Sequence, residues 1–131
     1  MNEDIKKDIE NDVRKATRRR KRVDRAIADN DFDYAIADLY YTCFYYLRAL
    51  LLTRGTKYQT HKGALIGFSK LFVKEGRAPD EQSRFLEKLA AYRLEADYKS
   101  TEFSAADVAA LVKKADAFIA FAEEYLKEVM K

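Results

Sequence analysis

One proline and four glycines are the only strong backbone breakers in 131 residues, and all five fall between Gly55 and Pro79. The 54 residues before that window and the 52 after it contain none. Runs of that length without turn-forming residues suit long helices and argue against a series of short strands. A chain of this size holds one core, so residues 1–131 are read as a single domain. Hydrophobic residues make up 48% and charged residues 36%, which excludes a disordered chain.

Apolar periodicity places the helices. Ile5, Ile9, Val13, Ala16, Val23 and Ile27 form one helical stripe, with Arg20 as its only polar member. After "NDFD", where Asn30 or Asp31 is the expected cap, a second helix runs to about Arg54 and stops at Gly55. It is apolar nearly all round, as befits the middle of a bundle, apart from a strip of Tyr34, Asp38, Tyr41, Tyr45 and Arg48. Thr60 caps a short helix to about Val73, with Gly63 and Gly67 on one face allowing close helix approach. Pro79-Asp80 opens a fourth helix ending near Tyr98, and Ser104 with Asp107 forms a capping box for a long fifth. The expected fold is all-α, an up-and-down helical bundle of four long helices plus one short helix.

Charge is uneven. Residues 14–25, "RKATRRRKRVDR", hold eight basic residues against Asp24 alone, about +7, so the remainder sums to about −4 under a net +3. Arg14, Arg18, Lys21 or Arg22, and Arg25 lie opposite the apolar stripe. They read either as a solvated face or as a track for a nucleic-acid backbone, and the role of the arginine run 18–22 stays open. A lone Cys43 in "YYTCFYYL", no apolar leader in "MNEDIKKDIEND" and no membrane-length apolar run point to a cytoplasmic protein. One His and one Cys cannot furnish a soft metal site, so no metal and no cofactor is expected.

Two stretches carry candidate chemistry. In "THKGALIG", Thr60 would aim free amides outward while His61 and Lys62 add positive character, an arrangement able to hold a phosphate. In "RLEADY", Arg93 shares a face with Leu86, Leu89 and Ala96, Asp97 follows at i+4, and Tyr98 stands at the terminus. A guanidinium at the edge of a core must be paired, and Asp38, Tyr41 and Tyr45 are the candidate partners from the second helix. A structural ion-pair cluster and a phosphate-binding arginine both satisfy that pattern.

"DFDYAIADLYYTCFYYLRALLLTRG", "THKGALIGFSKLFVKEG" and "YRLEADY", in that order before a final amphipathic helix, resemble the HEPN superfamily, in its small stand-alone prokaryotic branch. The likeness covers about residues 30 to 128, and the arginine run departs from the mixed or acidic first helices of that branch. The resemblance implies a helical bundle, frequently a homodimer with a cleft between subunits. Many members are metal-independent ribonucleases or toxins encoded beside a minimal nucleotidyltransferase. Catalytic members carry an Arg followed after four to six residues by a His. Arg93 matches the Arg, but Tyr98 stands where the His is expected, and His61 belongs to another helix. Tyrosine, with a pKa of about 10, is a poor general base at neutral pH.

The expectation is therefore a HEPN-like homodimer, acting with a nucleotidyltransferase partner, that binds RNA or a nucleotide at Arg93, Asp97 and Tyr98 without efficient cleavage. Asp38 and Tyr41 stand behind that site, and Arg48 and Lys62 supply further positive charge. Two alternatives stand beside it. One is a metal-independent ribonuclease toxin using Arg93 with His61 or Tyr98. The other is an oligomerisation module built on Tyr34, Tyr41 and Tyr45.

Overall fold

A computed structural model describes residues 1–98 and 101–131. Helices α1 (Glu3–Ala28), α2 (Phe32–Leu52), α4 (Asp80–Tyr98) and α5 (Ala105–Val129) are long, and α3 (His61–Phe68) is short. No strand occurs among the described residues, so the fold is the all-α bundle expected. Helix α2 stands at its centre: it packs on α1, α3, α4 and α5, and 12 of its 21 residues are buried. That burial follows from apolar side chains on nearly every face.

Three helix ends share one device. The amide of Asn30 bonds Ile27 O and that of Asp31 bonds Ala26 O, while Asn30 adopts φ 59°. Gly55 (φ 70°) and Gly76 (φ 75°) close their helical segments with the same paired bonds, onto Leu52 and Leu51, and onto Val73 and Phe72. This left-handed cap needs Gly, or Asn at some cost. It corrects the capping expectation for "NDFD". Asn30 terminates α1, and Asp31 occupies the N-cap position of α2 without a side-chain hydrogen bond. Helix α2 also ends at Leu52, two residues before the expected limit, because the Gly55 motif draws residues 53–55 into a turn.

Thr60 caps α3 by accepting from the Gly63 amide at 3.0 Å, and the Ser104–Asp107 capping box opens α5 with both reciprocal bonds present. Helix α3 continues as a π-helical segment, Ser69–Val73, the wider winding that arises when a residue is inserted into a helix. The glycines of α3 admit a side chain and not a helix: Tyr58 of the preceding loop lies across Gly63 and Gly67. Below them Phe68 packs on Phe72 and Phe118, with ring centroids 5.4 and 5.7 Å apart, inside the core.

The arginine run divides between the interior seams and the surface. Arg20, the polar member of the apolar stripe, sends Nε and Nη2 to the two carboxylate oxygens of Asp116 on α5, at 3.0 and 3.1 Å. Its Nη1 donates to Asp24 at 2.8 Å. Arg19 bonds Asp38 on α2 at 3.0 Å. Arg14, Arg18, Lys21, Arg22 and Arg25 remain exposed.

Candidate functional site

Helices α2 and α4 pack against each other, and this brings Arg93 onto Tyr41. Arg93 Nη2 donates to the Tyr41 hydroxyl at 3.0 Å, and its guanidinium lies 5.3 Å from the ring centroids of both Tyr40 and Tyr41. Asp97 Oδ2 stands 3.1 Å from Arg93 Nε. That Nε–H is buried and not aligned for a hydrogen bond, so the contact is ionic in character. The Arg93 side chain is 20% exposed, inward enough to be braced and outward enough to be reached. A planar guanidinium lying against phenol rings keeps its positive charge while its edges stay free to donate.

The lone histidine comes to the same place. His61, at the start of α3, packs on Phe44 with ring centroids 4.0 Å apart, and its Nδ1 contacts the Tyr40 hydroxyl. Burial pushes the Tyr40 phenol up to about 12, with Arg93 drawing it partly back. Burial, and then the charges of Arg93 and Arg48, hold His61 below the ordinary imidazole value. At neutral pH the phenol is thus protonated and the imidazole neutral. We assign the Tyr40 O–H as donor to Nδ1, leaving the ring hydrogen on Nε2. Tyr40 then touches both the imidazole and the guanidinium. This phenol was not singled out in the sequence because it reads there as one more apolar position on a helix that is buried all round.

The remaining candidates scatter around this cluster. Asp38 pairs with Arg19, whose guanidinium also lies 4.8 Å from the Tyr41 ring. Tyr45 lies under the Lys15 ammonium, and Tyr34 is exposed. Arg48 reaches toward Asp12 at 3.7 Å, and Lys62 is exposed on α3. Tyr98 is 76% exposed, and no hydrogen bond or ring contact among the described residues joins it to Arg93. Thr60 caps its helix as expected, but His61 is turned onto α2, away from the terminal amides it was expected to supplement. Cys43 is 1% exposed, and burial pushes its thiol far above its ordinary value, so it is inert.

Within one chain the Arg93 cluster is a surface site. Cavities among the described residues lie between α4 and α5, between α1 and α5, and between α1 and the loop after α2. The arrangement supplies positive charge, the Tyr41 hydroxyl, and one neutral imidazole backed by the Tyr40 phenol on a shared patch. Among the described residues no group of His, Cys, Asp and Glu is placed to hold a metal ion, and no helix is long and apolar enough to cross a membrane.

Comparison with known proteins matches residues 9–125 to the HEPN domain. A UPF0332 protein of Thermotoga maritima is 31% identical over 98 residues, covering 74% of each chain. Two proteins of Methanocaldococcus jannaschii named as candidate toxins are 29% and 25% identical, covering 96% and 99% of this chain and 88% and 97% of their own. With the family match spanning most of its length, the chain belongs to the HEPN domain family.

Proposed function

We propose that this HEPN chain is a toxin-like cytoplasmic protein that binds RNA through the surface formed by Arg93, Tyr41 and His61. The observation that carries the reading is the guanidinium of Arg93. It is held by Tyr41 and Asp97, it is one-fifth exposed, and its Nη1 has no protein partner among the described residues. Such a group suits a phosphate, whose oxygens match its planar donors. The names carried by the Methanocaldococcus relatives support the toxin part of the reading. Titration of a labelled single-stranded RNA tests it. Arg93→Ala weakens binding tenfold or more, and equal affinity in the two proteins sinks the proposal.

The Tyr40–His61 contact favours a second reading, in which the protein also cleaves RNA. Attack by a ribose 2′-hydroxyl on the adjacent phosphorus needs its proton removed and a proton delivered to the departing 5′-oxygen. Tyr40 can accept the first while passing its own to Nδ1 of His61, the imidazolium so formed can deliver its Nε2 proton to the departing 5′-oxygen, and Arg93 balances charge on the phosphate. Nothing here involves Tyr98. RNA incubated with the protein in EDTA is then cut by wild type and by Tyr98→Phe, and left intact by His61→Ala and Arg93→Ala. Cutting that equals the Arg93→Ala background removes this reading.

The proposal includes a second copy of the chain and a small nucleotidyltransferase as partners. The exposed apolar groups Tyr34, Leu94 and Tyr98, at 71, 50 and 76% exposure, support an interface. A monomer at micromolar concentration in light scattering, and no co-purification with a nucleotidyltransferase encoded alongside, would remove these two elements.

A further inference from the structure

The second candidate site lies where α1 meets the end of α2 and the loop that follows it. A cavity of about 340 Å³ opens there, lined in part by Asp8, Asp12, Lys15, Arg48, Lys57 and Tyr58. Its volume falls in the range of small-ligand sites. Asp12 is 3% exposed, and its Oδ2 is buried without a hydrogen-bond partner. The nearest cation, Arg48 Nε, stops at 3.7 Å, beyond hydrogen-bonding reach. A buried carboxylate without donors is costly, and native structures normally satisfy such a group. Burial raises its proton affinity, Arg48 and then Lys15 draw it back, and the neighbouring Asp8 raises it further.

The chemistry of the donor can be deduced. A further cation fits poorly, because Arg48, Lys15 and Lys57 already line the cavity, Lys57 paired with Asp8 at 3.8 Å. A neutral group presenting adjacent N–H donors satisfies a carboxylate without adding charge. Among nucleobases guanine offers two such donors side by side, on N1 and N2, matching both oxygens of one carboxylate. Cytosine and adenine offer one amino group, and uracil sets its single N–H between two carbonyls that a carboxylate repels. Tyr58 supplies an apolar wall, and the cations of the rim suit the phosphate of the same nucleotide. Arg48 also connects the two sites, since its charge bears on His61 as well.

We propose that this cavity is a base-reading subsite that takes guanine, with Asp12 accepting from N1–H and N2–H. The proposal rests on the RNA reading above and names the base that reading leaves open. The test is calorimetric titration of the full chain with GMP, CMP, AMP and UMP, together with RNA binding by two variants. GMP binds at least tenfold tighter than UMP. Asp12→Asn, which keeps the side-chain volume, lowers GMP affinity tenfold or more and leaves UMP unchanged. Arg93→Ala weakens every RNA while the preference for GMP over UMP stays in place. Equal affinities for the four nucleotides, no binding at millimolar concentration, or an unaltered GMP affinity in Asp12→Asn each overturns the subsite. Loss of the Arg93 effect on RNA with guanine preference intact overturns the earlier reading instead.

Discussion

Tyr41 is held between two guanidiniums, Arg93 from α4 and Arg19 from α1, and its hydroxyl accepts from the first. Tyr41→Phe removes that acceptor and keeps the ring. RNA affinity therefore falls only a few-fold, against the larger loss in Arg93→Ala, and filter binding separates the two. Asp12 gives a pH signature. Its folded-state pKa is raised, so the native state takes up its proton before the unfolded chain does. Its ionised form therefore costs stability at neutral pH, and that cost is relieved as pH falls toward the ordinary carboxylate value. Asp12→Asn melts higher than wild type at pH 7, with a gap that narrows toward pH 4 in thermal scans. His61 runs the other way: with its pKa lowered, the base form persists below pH 6.5, and the acidic limb of any cleavage profile lies below that value. The Arg93–Asp97 pairing and the Tyr41 partner were legible from spacing, because i+4 and facing amphipathic strips are one-dimensional patterns. Tyr40 with His61 was not. That contact depends on how a loop turns α3 back onto α2, and no periodicity carries it.

Helix α3 is the element that turns back, and it depends on Tyr58. A Cβ at Gly67 would overlap the Tyr58 ring well inside contact distance, and one at Gly63 would come within 2.9 Å of Thr60 Oγ. Gly67→Ala thus displaces the ring or the helix and lowers stability by about 1–3 kcal/mol in urea unfolding. Tyr58→Ala in the same chain recovers part of the loss. Caps at Thr60 and Ser104 were readable, since side-chain caps have residue types at fixed offsets. The role of Asn30 was misread for a physical reason: the same residue that can accept at a helix start also tolerates the left-handed turn that ends one. The π-helical winding after Phe68 has no comparable signature in residue type.

Across the molecule, the exposed Arg14, Arg18, Lys21, Arg22 and Arg25 of α1 form a surface distinct from the two arginines spent on seams. If RNA crosses that surface, replacing Arg18, Arg22 and Arg25 by Gln flattens the slope of log affinity against log salt by about 2. An unchanged slope assigns the face to solvent alone. The bundle order was visible in the apolar stripes, whereas the division of the arginine run was not, since neighbouring residues on a helix point about 100° apart. Helix α2 has a further consequence. It carries Tyr40 and Tyr41, and every other helix leans on it. A protein whose reactive face hangs from its own central pillar has no way to loosen the one and keep the other. Heat, denaturant and mutation should extinguish RNA recognition and the folded state at a common midpoint.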